Sequence, residues 1–207
     1  MGFSTLIDIL GATVIGGLLL LILFRVNDTA MQNTFLYAGE LIVQEGLVEA
    51  VSIIESDFRK MGYCERWEAM PDPTNAIIFA DTNKISFLTD LPTALGETGD
   101  GVIDTLHYYI GTVQELAATD NPYDRLLYRV VNSNIPISSN IGITNFKLTY
   151  FDSFGNRIPT PIQNTSTGSI KTIQIDLELQ AIYAYNELYN SVFWRQIRLA
   201  ARNLRKR

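Results

Sequence analysis

One cysteine and one histidine are all that this chain of 207 residues offers as soft metal ligands or imidazole bases. Cys64 cannot close an internal disulfide alone, and no Cys/His cluster is present to hold zinc, haem or an iron–sulfur centre. A domain outside the membrane therefore relies on its apolar core, with Cys64 as a small packing residue. His107, in Leu106-His107-Tyr108-Tyr109-Ile110, reads as an ordinary sheet histidine. Neither a Cys-His nor a Ser-His-acid arrangement follows from the spacing. There is no Gly-x-x-x-x-Gly-Lys-Ser/Thr loop and no glycine fingerprint after a strand. The expectation is no enzyme, no catalytic residue, no cofactor and no metal. Basic residues are also short, 16 against 22 acidic ones, which removes any general drive toward nucleic acid.

Charge is missing altogether from Ile9 to Phe24. With Phe3 to Ile7 the apolar run is about 22 residues, roughly 33 Å of helix against a hydrocarbon core of about 30 Å, enough to cross a bilayer once. A cleaved signal peptide has a basic start and a small-residue cleavage site. Here no Lys or Arg precedes Asp8, and the run ends Leu21-Ile22-Leu23-Phe24-Arg25, so the segment is expected to stay attached.

Asp8 breaks the apolar pattern. A carboxylate in a bilayer costs about 2.5–3.5 kcal/mol at a helix centre and less toward its end, so it calls for a partner. The nearest cation of the right kind is a free amine at or near the chain start, on this copy or on a neighbour. Asp8 thus points to lateral assembly.

The run Gly2, Phe3, Ser4 or Thr5, Leu6, Ile7, Asp8 resembles the start of type IV prepilin-like proteins, Gly-Phe-Thr-Leu-Ile-Glu before an apolar helix. The acid is Asp rather than Glu and stands one residue late if cutting follows Gly2, and the leader is only Met1-Gly2. The resemblance implies a prepilin peptidase that cuts between Gly2 and Phe3 and methylates the new amino terminus. It also implies that Asp8 guides docking onto a growing filament.

After Arg25 the sequence stays helix-compatible through Met61. It has no proline, and apolar residues recur at Val43, Leu47, Val51, Ile54, Phe58 and Met61 in steps of three and four. The opposite face carries Glu45, Glu49, Ser52, Ser56 and Arg59 and reads as wet, and Glu55 can pair with Arg59. Arg59 and Lys60 suit a helix C-terminus, and Gly62 can take the left-handed position that closes it. A continuous helix would be about 90 Å long, with Gly16-Gly17 and Asn27-Asp28 as places to bend or melt.

Beyond Gly62 the period changes to alternation. Residues 76–80 and 84–88 flank Asp81-Thr82-Asn83 as a hairpin, and further strands are expected at 105–112, 125–131, 144–151, 170–181 and 191–200. Turn clusters separate them, so the sheet should be antiparallel and lie on the end of the helix. No internal repeat is apparent. The expected fold class is α+β and pilin-like, with residues 1–24 as membrane and assembly helix, 25–62 as amphipathic helix and 63–207 as β-rich head.

The order of the pieces is similar to the minor-pilin and minor-pseudopilin branch of that family. Asp57, Arg59 and Gly62 match its Asp-x-Arg-x-x-Gly near the helix end. Tyr150, Asp152 and Gly155 match Tyr-x-Asp-x-x-Gly, and Arg202-Asn203 match a final strand ending in Arg-Asn.

Two features leave alternatives open. Glu97, Asp100 and Asp104 gather near glycines, either as a solvated turn or as a calcium loop, though without the acid spacing of an EF-hand. Arg195, Arg198, Arg202, Arg205, Lys206 and Arg207 concentrate positive charge that suits anionic headgroups, an acidic neighbour or plain solvent.

The function expected is a structural minor pilin or pseudopilin, single-pass in the cell membrane, with its head in the periplasm or outside. Its partners would be other pilin-like subunits, the membrane and a prepilin peptidase. It would assemble into a pilus-like, secretion or DNA-uptake filament. The alternative is a membrane-anchored binding module, an adhesin or envelope adaptor. Arg25 is the only base flanking the span, and the positive-inside rule alone would place the head on the other side.

Overall fold

A computed structural model describes residues 2–93, 98–163, 166–181, 189, 191–200 and 203–204. Helix α1 runs unbroken over Gly2–Arg59, 58 residues or about 87 Å. It passes without interruption through Gly16-Gly17 and Asn27-Asp28, because every backbone N–H there can still find the carbonyl four residues earlier. Burial begins only at Val43 and continues through Leu47, Ala50, Ile54 and Phe58 to Met61 just past the helix end. Ala50 takes the fully buried place in this stripe, and Val51 beside it is half-buried.

Among the described residues nine antiparallel strands make one curled sheet. They are β1 (Ile77–Ala80), β2 (Lys84–Thr89), β3 (Asp104–Ile110), β4 (Arg125–Val131), β5 (Ile137–Phe151), β6 (Arg157–Ile158), β7 (Ile162–Gln163), β8 (Thr172–Gln180) and β9 (Ser191–Ala200). Their order is β7-β1-β2-β3-β4-β5-β8-β9, with β6 on β5. The curl brings the β1–β2 turn back onto β5. Leu148 N–H donates to the Thr82 carbonyl at 2.6 Å, and the Tyr150 hydroxyl donates to the Asp81 carbonyl at 2.8 Å.

The α+β fold is the one expected, and β4 and β9 have the expected bounds. β5 begins at Ile137 rather than Thr144. Its first part pairs with β4, and after Ile143 it changes partner to β8, near the left-handed Gly142 at φ 76°.

The core lies between the inner stripe of α1 and one face of the sheet. Ile173, Ile175, Leu177 and Leu179 alternate inward along β8. Phe58 meets Phe87 edge-on at 5.4 Å between ring centres. Full burial of one such ring contributes roughly 1.5–3 kcal/mol, so the few inward residues of α1 suffice to hold the helix end to the head.

Candidate assembly site

Of the sequence-derived site residues, Gly2, Phe3 and Asp8 stand in the first turns of α1, and all are exposed. Asp8 forms no ion pair among the described residues. From Gly2 to Ile42 no described side chain is buried, although Leu10, Ile15, Leu19, Leu21 and Phe24 are all more than half exposed. This stretch contains a segment long and apolar enough to cross a membrane. The exposed face of the later helix is not uniformly wet. Leu41 and Val48, 59% and 69% exposed, sit among Glu45, Glu49 and Ser52.

The head grips the far end of α1 through a buried carboxylate. Asp57 accepts from Arg129 Nε at 2.6 Å and Arg129 Nη2 at 3.3 Å, and from the Tyr108 hydroxyl. Tyr108 and Arg129 are cross-strand partners in the β3–β4 register, which places both on the face toward the helix. Burial, then the Asp57 charge beside it, pushes the Tyr108 hydroxyl far above its usual pKa, so it stays a donor. Just past the helix end the chain turns away at Gly62, φ 73°, whose N–H donates to the Leu88 carbonyl at 2.9 Å. Asn203 Nδ2 reaches the Arg59 carbonyl at 3.1 Å, and Leu204 packs under Gly62. On the solvent side Arg59 pairs with Glu55 at 3.5 Å.

The acidic loop is built around Asp90, not around the carboxylates that stand out in the sequence. Buried Asp90 accepts from the backbone N–H groups of Glu65 at 2.9 Å, Asp100 at 2.8 Å and Gly101 at 2.9 Å. Burial alone would raise its pKa. The three amide hydrogen bonds reverse that and hold it below the ordinary carboxylate value. Asp100 accepts from Val102 N–H, and Asp104 from Leu91 N–H and Asn132 Nδ2. Glu97 lies outside the described residues. Among the described residues no three His, Cys, Asp or Glu side chains come together to hold a metal ion.

Cys64 is buried and donates to Asp90 at 3.6 Å, and desolvation pushes its thiol pKa up, away from reactivity. His107 sits in β3 opposite Ser86, Oγ and Nδ1 being 2.6 Å apart, and burial followed by the nearby Lys84 charge lowers its pKa. At the β5–β6 turn Asp152 accepts from Phe154 and Asn156 N–H, both at 2.8 Å, with Gly155 at φ 83°. Asp57, Gly62 and Asn203 therefore converge on one place, the joint between helix and head. Tyr150 and Asp152 instead fix the curl of the sheet.

No family model and no curated protein matches the chain. Among solved structures it is similar to a type IV-like pilin from Thermus thermophilus. That likeness covers 78% of this chain and 97% of the other, at 9% sequence identity and a TM-score of 0.46.

Sequence reasoning missed Arg129, Tyr108 and Asp90. The available signal for Arg129 was a cation on the inward beat of the run Leu126-Leu127-Tyr128-Arg129-Val130-Val131, which needs a buried acid opposite. Met1, Arg202 and residues 205–207 lie outside the described residues.

Proposed function

We propose that the chain is a structural subunit of the minor-pilin or pseudopilin kind, anchored in a membrane by residues 2–24 and joined to sister pilin-like subunits through that helix. The observation that carries this reading is the unbroken α1, whose first forty or so residues bury nothing in their own chain while the remainder is clamped to the head. An exposed apolar rod of this length gains only when lipid or other rods cover it. Processing between Gly2 and Phe3 by a prepilin peptidase, with methylation of the new terminus, belongs to the proposal. So does Asp8 as the group that sets register, since an unpaired acid in an apolar bundle penalises every alignment that leaves it without a cation.

The test is Asp8→Ala in the full chain. The head should stay folded while incorporation into filaments, or pull-down of sister subunits, falls severalfold; unchanged incorporation removes the docking role. Mass spectrometry of assembled protein should find a methylated Phe3 at the terminus, and an intact Met1 counts against processing. Replacing residues 2–24 by an unrelated membrane span should abolish function, and full activity after that exchange would instead favour an anchored binding module.

A further inference from the structure

The outward face of α1 above the membrane segment has no cover. Leu41, Glu45, Val48 and Ser52 follow one another at steps of four and three, on the side away from the buried Val43, Leu47, Ala50 and Ile54. Between Arg25 and Arg59 the helix carries Asp28, Glu40, Glu45, Glu49, Glu55 and Asp57 and no lysine or arginine. Asp57 is neutralised by Arg129 and Glu55 by Arg59. Glu45 and Glu49 remain as a like-charge pair four residues apart, an arrangement that weakens an isolated helix. Large apolar side chains alternating with uncompensated acids suit a surface that meets a cationic partner.

The same chain carries such a partner. After Glu187 every charged residue is basic: Arg195, Arg198, Arg202, Arg205, Lys206 and Arg207. On β9 the exposed Phe193 stands beside Arg195, whose guanidinium lies 5.2 Å from the ring centre but is already paired with buried Asp176 at 2.5 Å, so the charge offered to a partner is that of the basic residues after it. Of the anionic surfaces that could receive this segment, geometry removes two. Leu204 is pinned at the top of α1, about 52 Å of helix beyond Phe24, and even a tilt of about 40° leaves about 40 Å. Arg207 is at most about 11 Å of extended chain from Leu204. Lipid headgroups around its own anchor are out of reach. Glu45 of the same copy is about 21 Å down the axis from Arg59 and on the far side of a helix about 10 Å across. It too is out of reach.

We infer that the α1 face bearing Leu41, Glu45, Val48 and Glu49 receives the arginine-rich C-terminal segment of a second copy. This rests on the filament reading above and adds a condition to it. Two copies anchored at the same depth carry acidic face and basic end at different heights. The contact therefore closes only when one copy is displaced by about 20 Å along the helix axis, as in a subunit lifted from the bilayer. It would mark assembled material and be absent from side-by-side membrane neighbours.

The experiment combines full-length chains carrying Glu45→Cys with chains carrying Arg205→Cys in one membrane, so that any cross-link is between copies. Buried Cys64 remains as it is. A dimer band is expected in assembled fractions and not in dispersed ones. Glu45→Lys and Arg205→Glu should each cut assembly severalfold, and the two together in one chain should restore it. In parallel, Leu21→Cys reports helix contacts between copies. A Leu21 cross-link without the Glu45–Arg205 one overturns this inference and leaves the filament reading standing. Absence of both overturns both. Unchanged assembly in both the Glu45→Lys and the Arg205→Glu chain would overturn it as well.

Discussion

Arg129 on β4 and Asp57 on α1 stand 72 residues apart in the chain and meet at 2.6 Å, with two guanidinium nitrogens on one buried carboxylate. Tyr108 donates to the same carboxylate from the neighbouring strand, so one helix residue is held by two strands at once. Its value to the fold is orientation: a helix held only by greasy contacts can slide by a turn, whereas this acid has one satisfied position. Arg129→Met should leave Asp57 buried without its cation, and removing one member of a buried pair costs about 3 kcal/mol or more. Thermal unfolding of the full chain in detergent should then shift down by about 6–12 °C. Asp57→Asn combined with Arg129→Met should recover part of that loss. Equal loss in the double variant would mean that the stranded Asp57 charge is not the source of the loss.

Much of this joint was legible in the sequence, but only one side at a time. Val43 to Met61 and Gly62 gave away the helix stripe and its end because their periods and φ preference are local. β4 and β9 were readable because Arg125–Val131 and Ser191–Ala200 are dense in β-branched, aromatic and long side chains bounded by breakers. The start of β5 was not, since Ser138-Ser139-Asn140-Ile141-Gly142 is polar and carries a left-handed glycine. Pairing with β4, a tertiary event, makes it a strand. Asp57 was noticed as part of a motif, yet nothing near it in sequence names Arg129. The outer face of α1 reads as wet from its glutamates, and only the exposure of Leu41 and Val48 shows that it is mixed.

Asp90 gives the head an acid-sensitive loop. Its folded pKa is depressed, the amides of Glu65, Asp100 and Gly101 outweighing burial. The stability it contributes is therefore present above the unfolded value of about 3.9 and lost as pH falls through the lower folded value. Amide hydrogen exchange at Asp100 and Gly101, corrected for intrinsic rates, should show protection at neutral pH that collapses in strong acid. Asp90→Ala, which takes away both acceptor oxygens, should remove that protection at every pH. Retention of full protection in the Ala variant would mean the loop is held by other contacts. Gly99→Ala should act in the same direction, because a Cβ there would lie 2.5 Å from the Asp90 carboxylate.

Gly62 closes the helix at φ 73°, a region that costs an L-residue about 1–2 kcal/mol, and its missing side chain makes room for Leu204. An added Cβ would stand 2.9 Å from Leu204 Cδ2, so Gly62→Ala combines backbone strain with displacement of the residue that follows Asn203. Asn203 in turn donates to the Arg59 carbonyl, one of the helix-end acceptors that would otherwise lack a protein partner. The expected loss is about 2–3 kcal/mol, read as a lower urea midpoint with an unchanged slope. Leu204→Ala relieves the clash but not the strain, so Gly62→Ala in that background should cost only the backbone part, about 1–2 kcal/mol. If both backgrounds give the same loss, Leu204 does not rest on Gly62. The C-terminal segment is then not tied to the top of the helix, and the height assigned to its arginines falls with it.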